Sequence, residues 1–198
     1  MQNVKITEWV DIQAPRDEVF DLVVDIEKRM QLSPLWGLTK IENPSHDYPN
    51  KGSSYDIEIP EAEGSCFETI VTQFEPRRKL AYQSLLENKV TVTWNLQEVQ
   101  AGTRLVYVEE FLSDESESED LRESVRKIVK DWLKNIRRYA ELRGVWTKCW
   151  LRKLIDRFYL NQQPAQRKTI TTILFMQAVS TITFIMAALA AGLASLLF

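Results

Sequence analysis

Residues 116–143, SESEDLRESVRKIVKDWLKNIRRYAELR, decide the fold of this chain. Apolar residues fall at Leu121, Val125, Ile128, Val129, Trp132, Leu133, Ile136, Tyr139 and Ala140. This is the i, i+4, i+7, i+8 rhythm of one helical stripe, held for about five turns. The opposite face carries Arg122, Glu123, Arg126, Lys127, Lys130, Asp131, Lys134 and Arg137. Ser116 and Glu119 have capping-box spacing, acids crowd the start, bases crowd the end, and Gly144 is a natural stop. An amphipathic helix of this length needs a large apolar surface to cover its stripe. The residues before it are read as that surface, and the residues after it as a membrane attachment.

Working back toward the N-terminus, Val4, Ile6, Val10 and Ile12 alternate with Lys5, Thr7 and Asp11, the pattern of a half-buried strand. Pro15 to about Asp25 predicts a short helix with Val19, Phe20 and Val23 inward, and Ile26 to Ser33 a second that stops at Pro34. Six candidate strands follow, roughly Gly37–Glu42, Ser53–Ile59, Ser65–Phe74, Lys79–Leu86, Lys89–Val99 and Thr103–Leu112. Short turn-forming breaks separate them, which makes successive strands antiparallel neighbours. Tyr55, Ile57 and Ile59 oppose Asp56 and Glu58; Val90, Val92, Trp94 and Leu96 oppose Thr91, Thr93, Asn95 and Gln97. The order is strand, two short helices, six strands, one long helix. The expected class is α+β, a seven-stranded antiparallel sheet curled around the long helix.

This order resembles the helix-grip fold of the START / Bet v 1-like (SRPBCC) superfamily, in particular its polyketide cyclase/dehydrase and lipid-transport branch. The residues that carry the resemblance are Ile12, Ala14, Pro15, Val19, Phe20, Leu22, Val23 and Asp25, then Pro34 and Trp36. Phe67 and Val71, the Glu75-Pro76-Arg77-Arg78 turn and the amphipathic helix complete it. It covers roughly residues 3–143. The resemblance implies a cavity between sheet and long helix that holds a hydrophobic ligand such as a lipid, an isoprenoid quinone or a polyketide. A typical single-domain member ends with the long helix, so residues 145–198 are an addition.

That addition has its own character. No charged residue occurs from Thr169 to Phe198, a run that as helix exceeds the ~30 Å hydrocarbon core of a bilayer. It is read as a single transmembrane helix, with the small residues Ala187 to Gly192 available for contact with other membrane proteins. Between the long helix and this run, Trp146, Trp150, Leu154 and Phe158 recur every fourth residue among Lys148, Arg152, Lys153 and Arg157, with Arg167 and Lys168 just before the span. Aromatic rings and bases together suit a helix lying at an anionic membrane surface. Continuation of the long helix packed on protein is the alternative. The reading divides the chain into a ligand-binding domain over 1–143, a basic amphipathic juxtamembrane segment over 144–168 and a transmembrane helix over 169–198. Bases ahead of the span place the N-terminal domain in the cytoplasm by the positive-inside rule. No cleaved signal peptide is expected at the N-terminus.

Charge supports this division. The net charge of −3 splits into +6 over residues 143–198, where Asp156 is the one acid among seven bases, and −9 elsewhere. An acidic globular part argues against nucleic acid as partner. Cys66 and Cys149 stand far apart and suggest no disulfide framework. His46 stands alone in a polar loop, and no Cys/His spacing suits a metal. No cofactor is expected.

The ligand cavity is expected to be lined by Tyr55, Ile57, Tyr82, Val92, Trp94, Tyr107 and Phe111 from the sheet and Val125, Val129 and Trp132 from the helix; ordinary core packing is the alternative for the aromatic members. Glu8 and Glu109 share the inward parity of their strands, which the helix-grip order makes neighbours, so they are candidates for a buried acid/base pair or a polar ligand contact. Three functions compete. The leading one is membrane-tethered binding or transfer of a hydrophobic ligand. A cyclase or dehydratase acting on a polyketide-like substrate is the second, and a structural or assembly subunit of a membrane complex the third.

Overall fold

The structure, a computed structural model, describes residues 2–35, 39–58, 66–85, 89–113, 118–162 and 164–197. It divides into two compact units, Met1–Asn161 and Gln162–Phe198.

In the first unit, β1 (Gln2–Ile12) leads into α1 (Arg16–Val24) and α2 (Ile26–Gln31). Asp25 joins the two helices: its side chain accepts from the Lys28 backbone N–H at 2.9 Å and caps α2. Then come β2 (Lys40–Glu42), β3 (Ser54–Glu58), β4 (Cys66–Glu75), β5 (Lys79–Ser84), β6 (Thr91–Val99) and β7 (Gly102–Ser113). They form one sheet in the order β1-β7-β6-β5-β4-β3-β2, every pair antiparallel. The fold is the α+β helix-grip arrangement that the element order predicts. Gly37 and Leu38, Ile59, Ser65 and Leu86 of the expected strands lie outside the described residues, as do Trp36 of the resemblance and Ser116 of the expected capping box.

Two local features shape the sheet. A bulge between Val71 and Gln73 in β4 bends the strand and increases its twist. At the β6–β7 turn, Gly102 has φ +141°, and a Cβ there would lie 2.2 Å from the Ile12 carbonyl oxygen. Only glycine lets the end of β1 pass this close to the hairpin.

The long helix α3 (Ser118–Ala140) lies on the inner face of the sheet. Val129, Trp132, Leu133, Ile136, Tyr139 and Ala140 are buried in one core with Ile12, Val19, Val23, Leu80, Trp94 and Leu105. The first turn is looser: Leu121 is exposed and Val125 only partly buried, against a smaller cluster of Val4, Ile6 and Phe111. The outer face of the sheet is polar. Arg104 donates twice to Asp11, at 2.7 and 2.9 Å, and stacks over the exposed Trp9 ring at 4.2 Å. The Asp11 hydrogen bond to Arg104 holds its carboxyl below the usual range.

Beyond α3, α4 (Trp146–Leu154) continues into a π-helical turn, Ile155–Tyr159. Both belong to the first unit. Ile155, Tyr159 and the buried Leu160 pack on the grip core. Asp156 accepts from Lys28 Nζ of α2 at 2.8 Å and from Tyr139 Oη of α3 at 2.7 Å, while the Arg152 guanidinium lies 4.5 Å from the centre of the Tyr139 ring. The second unit contains α5 (Pro164–Leu197). Within it, Thr169–Ala187 is long and apolar enough to cross a membrane, with a mean hydropathy of 1.8 and no part of the window buried. The side chains of Ala188 to Gly192 lie outside the described ones.

Candidate functional site

The antiparallel register lays the inward side chains in ranks across the sheet. One rank runs Tyr55, Thr69 and Ser84 across β3, β4 and β5. The next runs Val71, Tyr82, Val92, Glu109 and Ile6, and a third Leu80, Trp94, Tyr107 and Glu8. Strand alternation puts these residues on one face, and the apolar stripe of α3 covers them. The middle of the grip is aromatic. Trp94 meets Tyr107 edge-on with ring centres 4.7 Å apart and Trp132 edge-on at 5.3 Å; Tyr107 and Trp132 lie 5.9 Å apart. The Trp94 indole N–H donates to Tyr82 Oη at 3.4 Å, and the Trp132 indole N–H donates to the Arg29 carbonyl at 2.9 Å.

Eight of the ten residues read from the sequence as cavity lining are buried in one cluster: Tyr55, Ile57, Tyr82, Val92, Trp94, Tyr107, Val129 and Trp132; Phe111 is buried in the smaller cluster with Val4 and Ile6. Val125 is half-buried at the looser end of α3. Glu8 and Glu109 both face α3, one register step apart, but each has its own partner. Glu8 is paired with Arg126 at 3.2 Å and lies 3.8 Å from Lys130. Glu109 accepts from Tyr107 Oη at 2.8 Å. Burial pushes the Glu109 carboxyl up, against the opposing pull of that hydrogen bond. Burial, and then the charge of Glu109, push the Tyr107 phenol well above its ordinary value. The pair is a half-buried acid and a buried phenol that stays protonated, and no group of His, Cys, Asp and Glu side chains among the described residues could hold a metal ion.

Sequence reasoning missed Arg29. It stands in the charged run Glu27-Lys28-Arg29, which reads as a solvated face, yet its side chain is fully buried. α2 directs it inward because Arg29 lies three residues after the buried Ile26, on the same helical face. That spacing was the available signal. The guanidinium donates to the Val23 carbonyl at the end of α1 and to Tyr55 Oη at 3.1 Å, and lies 4.9 Å from the centre of the Tyr82 ring. Burial pulls its pKa down, the phenols of Tyr82, Tyr55 and Tyr48 more than offset this, and it remains charged. Burial likewise raises Tyr55 and Tyr48 against the pull of Arg29.

The residues expected at a membrane surface are exposed all round the helix over 146–151 and turn partly inward from Arg152. Trp146, Trp150 and Phe158 are 79%, 56% and 59% exposed, and Lys148, Lys153 and Arg157 share their exposure. Arg152 instead turns toward Tyr139. Arg167 donates to the Gln162 carbonyl at 2.8 Å, and the Lys168 side chain lies outside the described ones. His46 is exposed in its loop, and Cys66 and Cys149 are exposed free thiols.

Solved structures share the fold. A protein from Mesorhizobium loti superposes with a TM-score of 0.58 at 13% identity, covering 72% of this chain and all of its own. A Bacillus halodurans protein gives 0.55 at 19% identity, covering 69% and 97%. The di-domain aromatase/cyclase StfQ of the steffimycin biosynthetic pathway gives 0.56 at 14% identity, covering 70% of this chain and 51% of its own. Among curated proteins no sequence matches. Residues 3–141 match the sequence profile described as polyketide cyclase / dehydrase and lipid transport, which spans the sheet, α1, α2 and α3. With most of its length inside that match, the chain belongs to the polyketide cyclase / dehydrase and lipid transport family.

Proposed function

We propose that this protein binds a hydrophobic ligand between the sheet and α3 while held at a membrane by α5, and that it shields or transfers that ligand at the bilayer surface. The observation that carries this reading is the outward row of Trp146, Trp150 and Phe158 with Lys148, Lys153 and Arg157. It sits on α4, exposed along most of its length, and on the π-helical turn that packs against the grip core, and it is followed in sequence by the unburied apolar stretch Thr169–Ala187. Exposed indoles and bases in one segment suit the headgroup layer of an anionic bilayer, and an apolar helix of this length suits its interior. Tethering raises the concentration of the binding domain next to a ligand that stays in the membrane. The bases ahead of α5 orient the grip domain toward the cytoplasm. The family and the aromatic interior support an apolar ligand.

The test is to purify the full chain from membranes in mild detergent, extract it with organic solvent, and identify bound molecules by mass spectrometry. A stoichiometric lipid, quinone or polyketide-like molecule is the expected result. An empty protein that co-purifies with a membrane complex supports the subunit reading instead. The Glu109–Tyr107 pair supports a second reading, acid/base chemistry on a bound polyketide-like substrate. In that case the extracted molecule is converted by the wild-type chain and left unchanged by Glu109→Gln.

A further inference from the structure

Resting on the carrier reading above, we propose that the ligand is an acidic amphiphile, a carboxylate or phosphate monoester on an apolar chain, and that Arg29 receives its head group. Arg29 is 0% exposed, and no ion pair among the described residues includes it. A buried charge without a counter-ion is costly, and proteins ordinarily pair it. Its two hydrogen bonds, to a backbone carbonyl and a phenol, leave the Nε–H without an acceptor. A guanidinium offers five donors in a planar fork, the geometry that matches carboxylate and phosphate oxygens.

A second observation points the same way. Thr69 Oγ1 and Ser84 Oγ are also buried without a hydrogen-bond partner. They face each other across β4 and β5, in the same rank as Tyr55, whose hydroxyl Arg29 contacts. Buried hydroxyls are normally satisfied, so two orphans paired across the sheet, in the rank of the phenol that an incompletely used guanidinium contacts, form a set of donors short of one acceptor group. An anion with two or three oxygens is such a group. The rest of the interior, Trp94, Trp132 and Val92 among it, is suited to the apolar chain. Ligand entry has to part α2 from the sheet, because the guanidinium is closed over in this state.

The experiment uses the full chain reconstituted in phosphatidylcholine vesicles. It is photolabelled with a diazirine-bearing palmitic acid or with the methyl ester of that acid, and label is located on interior peptides by mass spectrometry. The acid is expected to label the interior at concentrations about tenfold below the ester, the discrimination of one charge-assisted hydrogen bond. Arg29→Gln is expected to abolish that ratio and Arg29→Lys to keep part of it. Thr69→Val with Ser84→Ala gives a folded control, because removing an unpartnered buried hydroxyl does not cost stability, and it is expected to narrow the ratio. Equal labelling by acid and ester in the wild type overturns this proposal and leaves the carrier reading standing. So does a ratio that the Thr69/Ser84 variant does not change. Labelling by neither overturns both. Displacement of the acid by inorganic phosphate at comparable concentration makes the site one for a free anion and overturns the amphiphile.

Discussion

Replacing Trp94 by Ala tests how the grip is filled. Trp94 is 0% exposed at the centre of the inner face, with Tyr107 and Trp132 edge-on against it at 4.7 and 5.3 Å. Truncating a fully buried Trp costs about 3–5 kcal/mol in lost transfer energy and residual cavity. Two aromatic pairs, each ~0.5–1.5 kcal/mol beyond area burial, place this site toward the upper end. The long Trp94–Tyr82 hydrogen bond at 3.4 Å adds little. A loss of about 4 kcal/mol is roughly a quarter or more of the ~5–15 kcal/mol that typically holds a domain together. The assay is urea unfolding of the full chain in mild detergent, wild type against Trp94→Ala, followed by near-ultraviolet circular dichroism. A loss below ~2 kcal/mol with a native spectrum would refute the reasoning, because it would mean that the indole borders open space rather than packed neighbours. That smaller loss is what an open, preformed cavity requires; the larger one means that a ligand enters by parting side chains that are packed together in the unliganded state.

Glu109→Gln addresses the half-buried carboxyl. Its pKa is raised on folding, so between the unfolded value near ~4.3 and the raised folded value the native state binds more protons, and wild-type stability falls as pH rises through that window. The Gln variant should lose this slope, keep the Tyr107 hydrogen bond, and be at least as stable at neutral pH; a variant that retains the slope places its origin elsewhere. Asp156→Asn weakens the contact that joins the π-helical turn to α2 and α3. It should speed amide hydrogen exchange over residues 146–159 while changing global stability by no more than ~1 kcal/mol, since both charged partners are partly exposed. Unchanged exchange would mean that Ile155 and Leu160 alone hold the segment.

What the sequence disclosed, and what it concealed, follows from how far each signal reaches. The strands were legible because a one-faced sheet prints its period of two directly: Val90, Val92, Trp94 and Leu96 alternate with polar residues, and the paired register keeps that parity across five neighbours. The stripe of α3 was legible for the same reason at a period of 3.6. Glu8 and Glu109 were given the correct face by parity, but parity says nothing about partners. Arg126 and Lys130 stand a helix away in sequence and decide that Glu8 is an ion-paired rim residue rather than half of a carboxyl pair.

Residues 144–168, read from the sequence as a membrane-surface segment, show the same limit of local signals. Aromatic residues every fourth position and a scatter of bases fit both a free interfacial helix and a segment packed on protein. The structure holds features of each: Trp146, Trp150 and Phe158 outward, Ile155, Tyr159 and Leu160 inward. The clue that separates them is the single acid. Asp156 has no use on a face meant for anionic lipid, and it is instead turned to Lys28 and Tyr139. Lys28 and Arg29 then explain one another. Consecutive residues on a helix point about 100° apart, so α2 presents Lys28 to Asp156 on its flank while Arg29, on the face of the buried Ile26, points to the sheet. The Lys28–Asp156 contact, made across 128 residues of sequence, thus sits one helix position from the buried charge, a pairing that no local pattern in α2 could announce.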